Sequence, residues 1–118
     1  MIAPHEMLQE LTDRCKVKNA EYTKGDPSNV FGGFMGAQDF QQRATNTPIS
    51  LTHATWNLES KHLANVCAFF LKEESDEKPT TPDFLSVLES FKDLAVYFAA
   101  CAAMLETALN HKENKDAK

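Results

Sequence analysis

The chain has 118 residues, enough for one domain with a core and too few for two. Its 42% apolar and 25% charged content excludes wholesale disorder, and a net charge of -5 argues against a nucleic-acid-binding surface. No apolar run reaches the length of a membrane span, and no basic head leads into an apolar stretch. A cytoplasmic protein without membrane contact is therefore expected.

The first helix is expected over 4–20, where Met7, Leu11 and Cys15 give an apolar stripe and Glu6, Glu10 and Asp13 take other faces. Tyr22 to Asn29 (YTKGDPSN) reads as a loop from its Gly, Asp-Pro and Ser-Asn, with Tyr22 and Phe31 available to pin it to the core. A short second helix follows over 30–43, carrying Phe31, Phe34, Met35 and Phe40 and weakened by Gly32, Gly33 and Gly36. These glycines are not a phosphate-binding fingerprint: no strand precedes them and the spacing is wrong.

A third helix is expected over 49–72, capped by Ser50. Leu51, Ala54, Leu58, Val66 and Phe69 form one stripe, and Trp56, Leu63, Cys67 and Phe70 another. Trp56 reads as a core residue. Glu59 falls inside the apolar sector, where a carboxylate needs a partner, with Lys61, His62 or a hydroxyl nearby. Glu73 to Pro79 is a solvated acidic loop that favours a basic partner surface.

The fourth helix, over 82–111, organises the rest. Thr80-Thr81 supplies a capping hydroxyl, Pro82 tolerates the first turn, and Asp83 sits at the positive end of the dipole. Phe84, Leu88, Phe91, Ala95, Phe98, Ala102, Leu105 and Leu109 recur at steps of three and four. Val87, Leu94, Tyr97, Cys101, Met104 and Ala108 widen that stripe. This is more apolar and small surface than three partner helices cover, which predicts a homodimer. Residues 1–3 and 112–118 are expected to fray.

Cys15, Cys67 and Cys101 are an odd number at wide spacings without a C-x-x-C pair, so they read as reduced, buried thiols. The four histidines lack metal spacing, and His62 reads as a core histidine bonded to a neighbour. Glu89 and Asp93 stand one turn apart on the last helix, a like-charge pair that calls for water, a cation or salt bridges from Lys92 and Lys61. The fold class expected is all-α, a single four-helix bundle with its last two helices antiparallel. Such packing brings Glu59, Glu89 and Asp93 toward one pocket with Lys61 at its edge. Hard oxygen ligands from two helices suit Mg²⁺ bridging a nucleotide phosphate, and a metal-bound water is positioned to attack a phosphoanhydride.

Three short stretches carry a resemblance: YTKGDPSNVF around Tyr22, LESKHLAN around Lys61, and KDLAVYFAA with Asp93 and Tyr97. Across Arg14 to Glu106 the chain resembles small phage and prophage proteins that are themselves similar to MazG-type all-α nucleotide pyrophosphohydrolases. The resemblance implies a MazG-like bundle binding nucleotide, with Mg²⁺ held by Glu59, Glu89 and Asp93. It also implies Glu59 and Lys61 as catalytic residues, with Lys61, Tyr22 and Tyr97 beside the nucleotide. The enzymes carry E-E-x-x-E on one helix and E-x-x-D on the next, whereas here Glu59 stands alone and the pair is E-x-x-x-D. Fewer carboxylates hold a metal less well. The alternative is a non-catalytic, phage-encoded interaction protein that modulates a host protein.

Overall fold

A computed structural model of the chain describes residues 2–23 and 31–116. Most of the expected loop Tyr22–Asn29, with the Tyr22 side chain, lies outside the described residues. Among the described residues every regular element is an α-helix: α1 Pro4–Tyr22, α2 Gly32–Thr45, α3 Leu51–Asn57, α4 Ser60–Glu74 and α5 Thr81–Asp116.

The helix ends follow local chemistry. The Ala3 N–H donates to the Glu6 carboxylate (3.1 Å) ahead of Pro4, and the His53 N–H donates to Ser50 Oγ (3.0 Å). At the head of α5 the pairing is reciprocal. The Thr80 N–H donates to Asp83 Oδ2 (2.8 Å) and the Asp83 N–H to Thr80 Oγ1 (3.4 Å). Helix α2 stops at Asn46, whose φ of 52° is left-handed, a conformation Asn tolerates better than most residues. Helix α5 runs on to Asp116, so the expected frayed tail is helical for most of its length.

The single helix expected over 49–72 is broken into α3 and α4, and the cause lies on α2. The Gln41 side-chain amide donates to the Ala54 carbonyl (2.9 Å), the group that Leu58 N–H needs for an α-helical bond. The Leu58 N–H instead reaches Thr55 O (3.1 Å) and the Glu59 N–H reaches Trp56 O (3.0 Å), both one residue short. Asn57 donates its amide to Gln41 Oε1 (2.9 Å), and its carbonyl accepts from Ser60 Oγ (3.1 Å). The chain restarts as α4 at Ser60, with the Glu59 carbonyl accepting the first N–H groups.

Helix α5 is the axis, touching α1, α3 and α4, while α2 packs on α1 and α3. The pairs across it are Phe69 with Phe84, Asn65 with Ser86 and Ser90, His62 with Ser90, Thr52 with Cys101 and Thr55 with Met104. Among the described residues the buried apolar side chains are few: Phe34, Ala54, Val87, Leu94, Val96 and Met104. Four expectations change here. Cys67 is exposed, with Cys15 and Cys101 half-buried, and all three are free. Trp56 is about half exposed, stacked on Phe98 with centroids 6.0 Å apart, rather than buried in the core. Leu58 sits at the surface because the helix break turns it out of register with Leu51 and Ala54.

The fourth change concerns α5. Its two stripes separate: Val87, Ser90, Leu94 and Met104 face inward, while Phe84, Leu88, Phe91, Phe98, Leu105 and Leu109 stay exposed. The molecule is elongated, 60 × 37 × 29 Å, with a Cα radius of gyration of 17.3 Å. A compact chain of this length has a radius of about 13.5 Å.

Candidate functional site

The polar groups near mid-α5 gather into two clusters that differ in kind. The first joins α1, α4 and α5. Arg14 lies in phase with Met7 and Leu11 on the inner face of α1, which carries its guanidinium to α5. Its Nη2 donates to Glu89 Oε2 (2.7 Å) and Asp93 Oδ1 (2.9 Å), and Nε donates to the same Asp93 oxygen (3.3 Å). Both carboxylates hold Arg14 protonated more firmly than usual, with Glu89 the larger influence. Lys92, the salt-bridge partner expected for this pair, lies 3.9 Å from Glu89 and makes its short contact with Glu10 (2.8 Å).

Behind Asp93 the cluster runs inward to the buried His62 and Ser90. His62 Nε2 stands 3.7 Å from Asp93 Oδ2, and its Nδ1 is 3.5 Å from Ser90 Oγ. Asn65 donates to Ser90 Oγ (2.7 Å) and Ser86 Oγ (3.1 Å). The Tyr97 ring sits one turn on, 5.9 Å from the His62 ring and 6.3 Å from Phe34 edge-on. His62 is thus the bonded core histidine expected, with partners on α5.

The second cluster is a single group. Glu59 is fully buried, and among the described residues neither carboxylate oxygen has a hydrogen-bond partner. Burial pushes its carboxyl above the ordinary 4.5, because the charged form loses its solvation. The Cys101 thiol is pushed up by its own burial and by the charge of Glu59, which places the two in electrostatic reach. Glu59 stands at the α3–α4 break, immediately before α4 begins at Ser60.

The structure therefore brings Glu89, Asp93 and Tyr97 along one stretch of α5 and leaves Glu59 apart from the pair. Among the described residues no three His, Cys, Asp or Glu side chains gather closely enough to hold a metal ion. The donor set for Mg²⁺ is at most the pair Glu89 and Asp93, and Arg14 takes one oxygen of each. Lys61 is exposed on the first turn of α4, while the Tyr22 side chain lies outside the described residues. A cleft of about 340 Å³ between α1, α2 and α5, lined by Cys15, Lys16, Phe34 and Val96 among others, contains none of the expected site residues. Nothing in composition or motif singles out Arg14; its signal is a cation in phase with the apolar residues of α1.

No helix among the described residues is long and apolar enough to cross a membrane. No family model, curated protein or solved structure matches this chain.

Proposed function

We propose that this chain is a non-catalytic helical interaction protein that works through the apolar face of α5 and the adjoining part of α3. One observation carries the reading. The charged pair on α5 is already compensated by Arg14, whereas Phe84, Leu88, Phe91, Phe98, Leu105 and Leu109 are left exposed along one line. Trp56 stacked on Phe98 extends that line onto α3, where Ser50, Thr52, Trp56, Phe98, Ala102 and Leu105 border an open groove. Exposed apolar patches of this extent mark protein-binding surfaces. The pairs between α4 and α5, in which His62 meets Ser90, Asn65 meets Ser86 and Phe69 meets Phe84, support an antiparallel arrangement of those two helices.

A photo-crosslinking side chain at position 98 tests the reading. Discrete protein–protein adducts are expected there and none from position 40, an exposed phenylalanine on α2. Equal adducts from both, or none from either, would count against it.

Glu89 and Asp93, side by side with Tyr97 near them, favour a second reading: a MazG-like nucleotide-binding protein, with Lys61 available to a phosphate. Mg²⁺ is often held by only one or two carboxylates plus phosphate oxygens. In this reading Arg14 exchanges its carboxylates for a phosphate as the nucleotide arrives. Mg²⁺-dependent pyrophosphate release from a panel of nucleoside triphosphates, lost in Glu89→Gln and Asp93→Asn, would establish it over the first.

A further inference from the structure

The exposed line on α5 has a period of its own. Phe84, Leu88, Phe91, Ala95, Phe98, Ala102, Leu105 and Leu109 alternate steps of four and three without a break, the heptad spacing of a helix that meets another helix. The inward residues Val87, Ser90, Leu94, Tyr97, Cys101 and Met104 repeat with the same spacing, and that seam is filled by α3 and α4. Phe69 of α4 and Trp56 of α3 touch the outer seam at Phe84 and Phe98, yet Phe84, Leu88, Phe91, Phe98, Leu105 and Leu109 all remain 40–57% exposed. The outer seam spans about 38 Å, and no charged residue interrupts α5 between Leu94 and Leu105.

The order of sizes along the seam identifies the occupant. Turned about a two-fold axis between Ala95 and Phe98, the seam meets its own copy with Phe98 against Ala95, Phe91 against Ala102, Leu88 against Leu105 and Phe84 against Leu109. Both central phenylalanines then fall opposite alanines, so large side chains enter the spaces that small ones leave. An isologous interface demands this self-complementarity: each residue meets its mate, and the mate meets it in return.

The exposed area agrees. Phe84, Phe91, Phe98 and Trp56 are each about half exposed and leave about 400 Å² of aromatic surface, taking about 200 Å² per ring side chain. The leucines and alanines between them bring the strip toward the roughly 800 Å² per partner of a standard interface.

We infer that the outer seam of α5 docks a second copy of this chain, antiparallel, in the register that places Phe91 opposite Ala102. The inference rests on the interaction reading above and names its partner. Light scattering at tens of micromolar should return twice 13.2 kDa. Phe91→Ala leaves a hole and Ala102→Phe a clash, so each alone should weaken dimerisation roughly tenfold or more. Both changes in one chain exchange large for small across the axis and should restore the dimer to within about threefold of the parent. Both positions are exposed, so circular dichroism of each variant should match the parent.

A monomer, a dimer indifferent to either single change, or a double variant weaker than both singles would overturn the inference. A monomer that still crosslinks from position 98 to a different polypeptide would leave the interaction reading standing and remove only the second copy. A monomer with no adduct would remove both.

Discussion

Glu59 and Asp93 are both drawn from water by the same helix, yet they are accommodated in opposite ways. Asp93 accepts two hydrogen bonds from Arg14, which donates a third to Glu89. Glu59 has no donor among the described residues, and burial pushes its carboxyl above the ordinary value. A buried carboxylate can be compensated by a cation or by a proton, and which one it gets depends on what the facing helix offers. Opposite Asp93, α1 offers an arginine. Around Glu59 the described residues supply no donor to either oxygen, and the Cys101 thiol feels its charge.

Removing the cation should have the largest effect. Arg14→Met leaves two like charges one turn apart and unties α1 from α5. With Arg14 and Asp93 partly buried and Glu89 more exposed, the loss should be about 2 kcal/mol, read from the urea midpoint. An unchanged midpoint would mean that water compensates the pair equally well.

Glu59→Met sharpens the comparison from the other side. It replaces an acid with two unmade hydrogen bonds by an apolar side chain of similar length, and a gain of about 1–2 kcal/mol at pH 7 is expected. A loss would show that the carboxyl meets a partner in solution. The parent should also carry a pH signature. Its native carboxyl holds a proton more tightly than the unfolded chain, whose value is the ordinary 4.5. That contribution to stability is complete below 4.5 and declines as pH rises from there through the raised native value. Glu59→Met should remove this decline, as urea midpoints at a series of pH values would show.

Smaller effects follow at the rim. The contact between Lys92 and Glu10, with Glu10 half exposed, is worth at most about 1 kcal/mol, so Lys92→Met should move the midpoint little and the difference should vanish in high salt. Asp83 is the mirror of Glu59. The Thr80 N–H, then Lys72 and the Thr80 hydroxyl, hold its carboxyl down from 3.8 to about 2. Its contribution is present above 3.8 and is lost as pH falls from there to about 2. Asp83→Asn should flatten that acid limb, and an unchanged limb would show that the cap does not hold in solution.

Much of this was legible in the residues. Helix ends could be read because caps are local: Ser50, Thr80 and Asp83 act on N–H groups within three residues of themselves. The all-helical class could be read because apolar spacing has a period. Glu59 inside an apolar sector and the Glu89–Asp93 pair on one edge were also visible as anomalies of pattern. What compensates each anomaly was not, since Arg14 is 75 residues from Glu89 and 79 from Asp93.

The amino-acid order by itself determined that α5 would be a long helix with apolar residues on two adjoining seams, because periodicity is a property of neighbours in the chain. Only the tertiary structure decided which seam faces inward, since both have the same spacing and similar size. It likewise decided the break at Leu58–Glu59: the Ala54 carbonyl is taken by Gln41, and a donor from another helix leaves no trace in the local pattern. Glu59 stands at that same break, buried and without a hydrogen-bond partner among the described residues. Local bonds are fixed by sequence separation, whereas the choice between two equivalent faces is made by whatever packs against them.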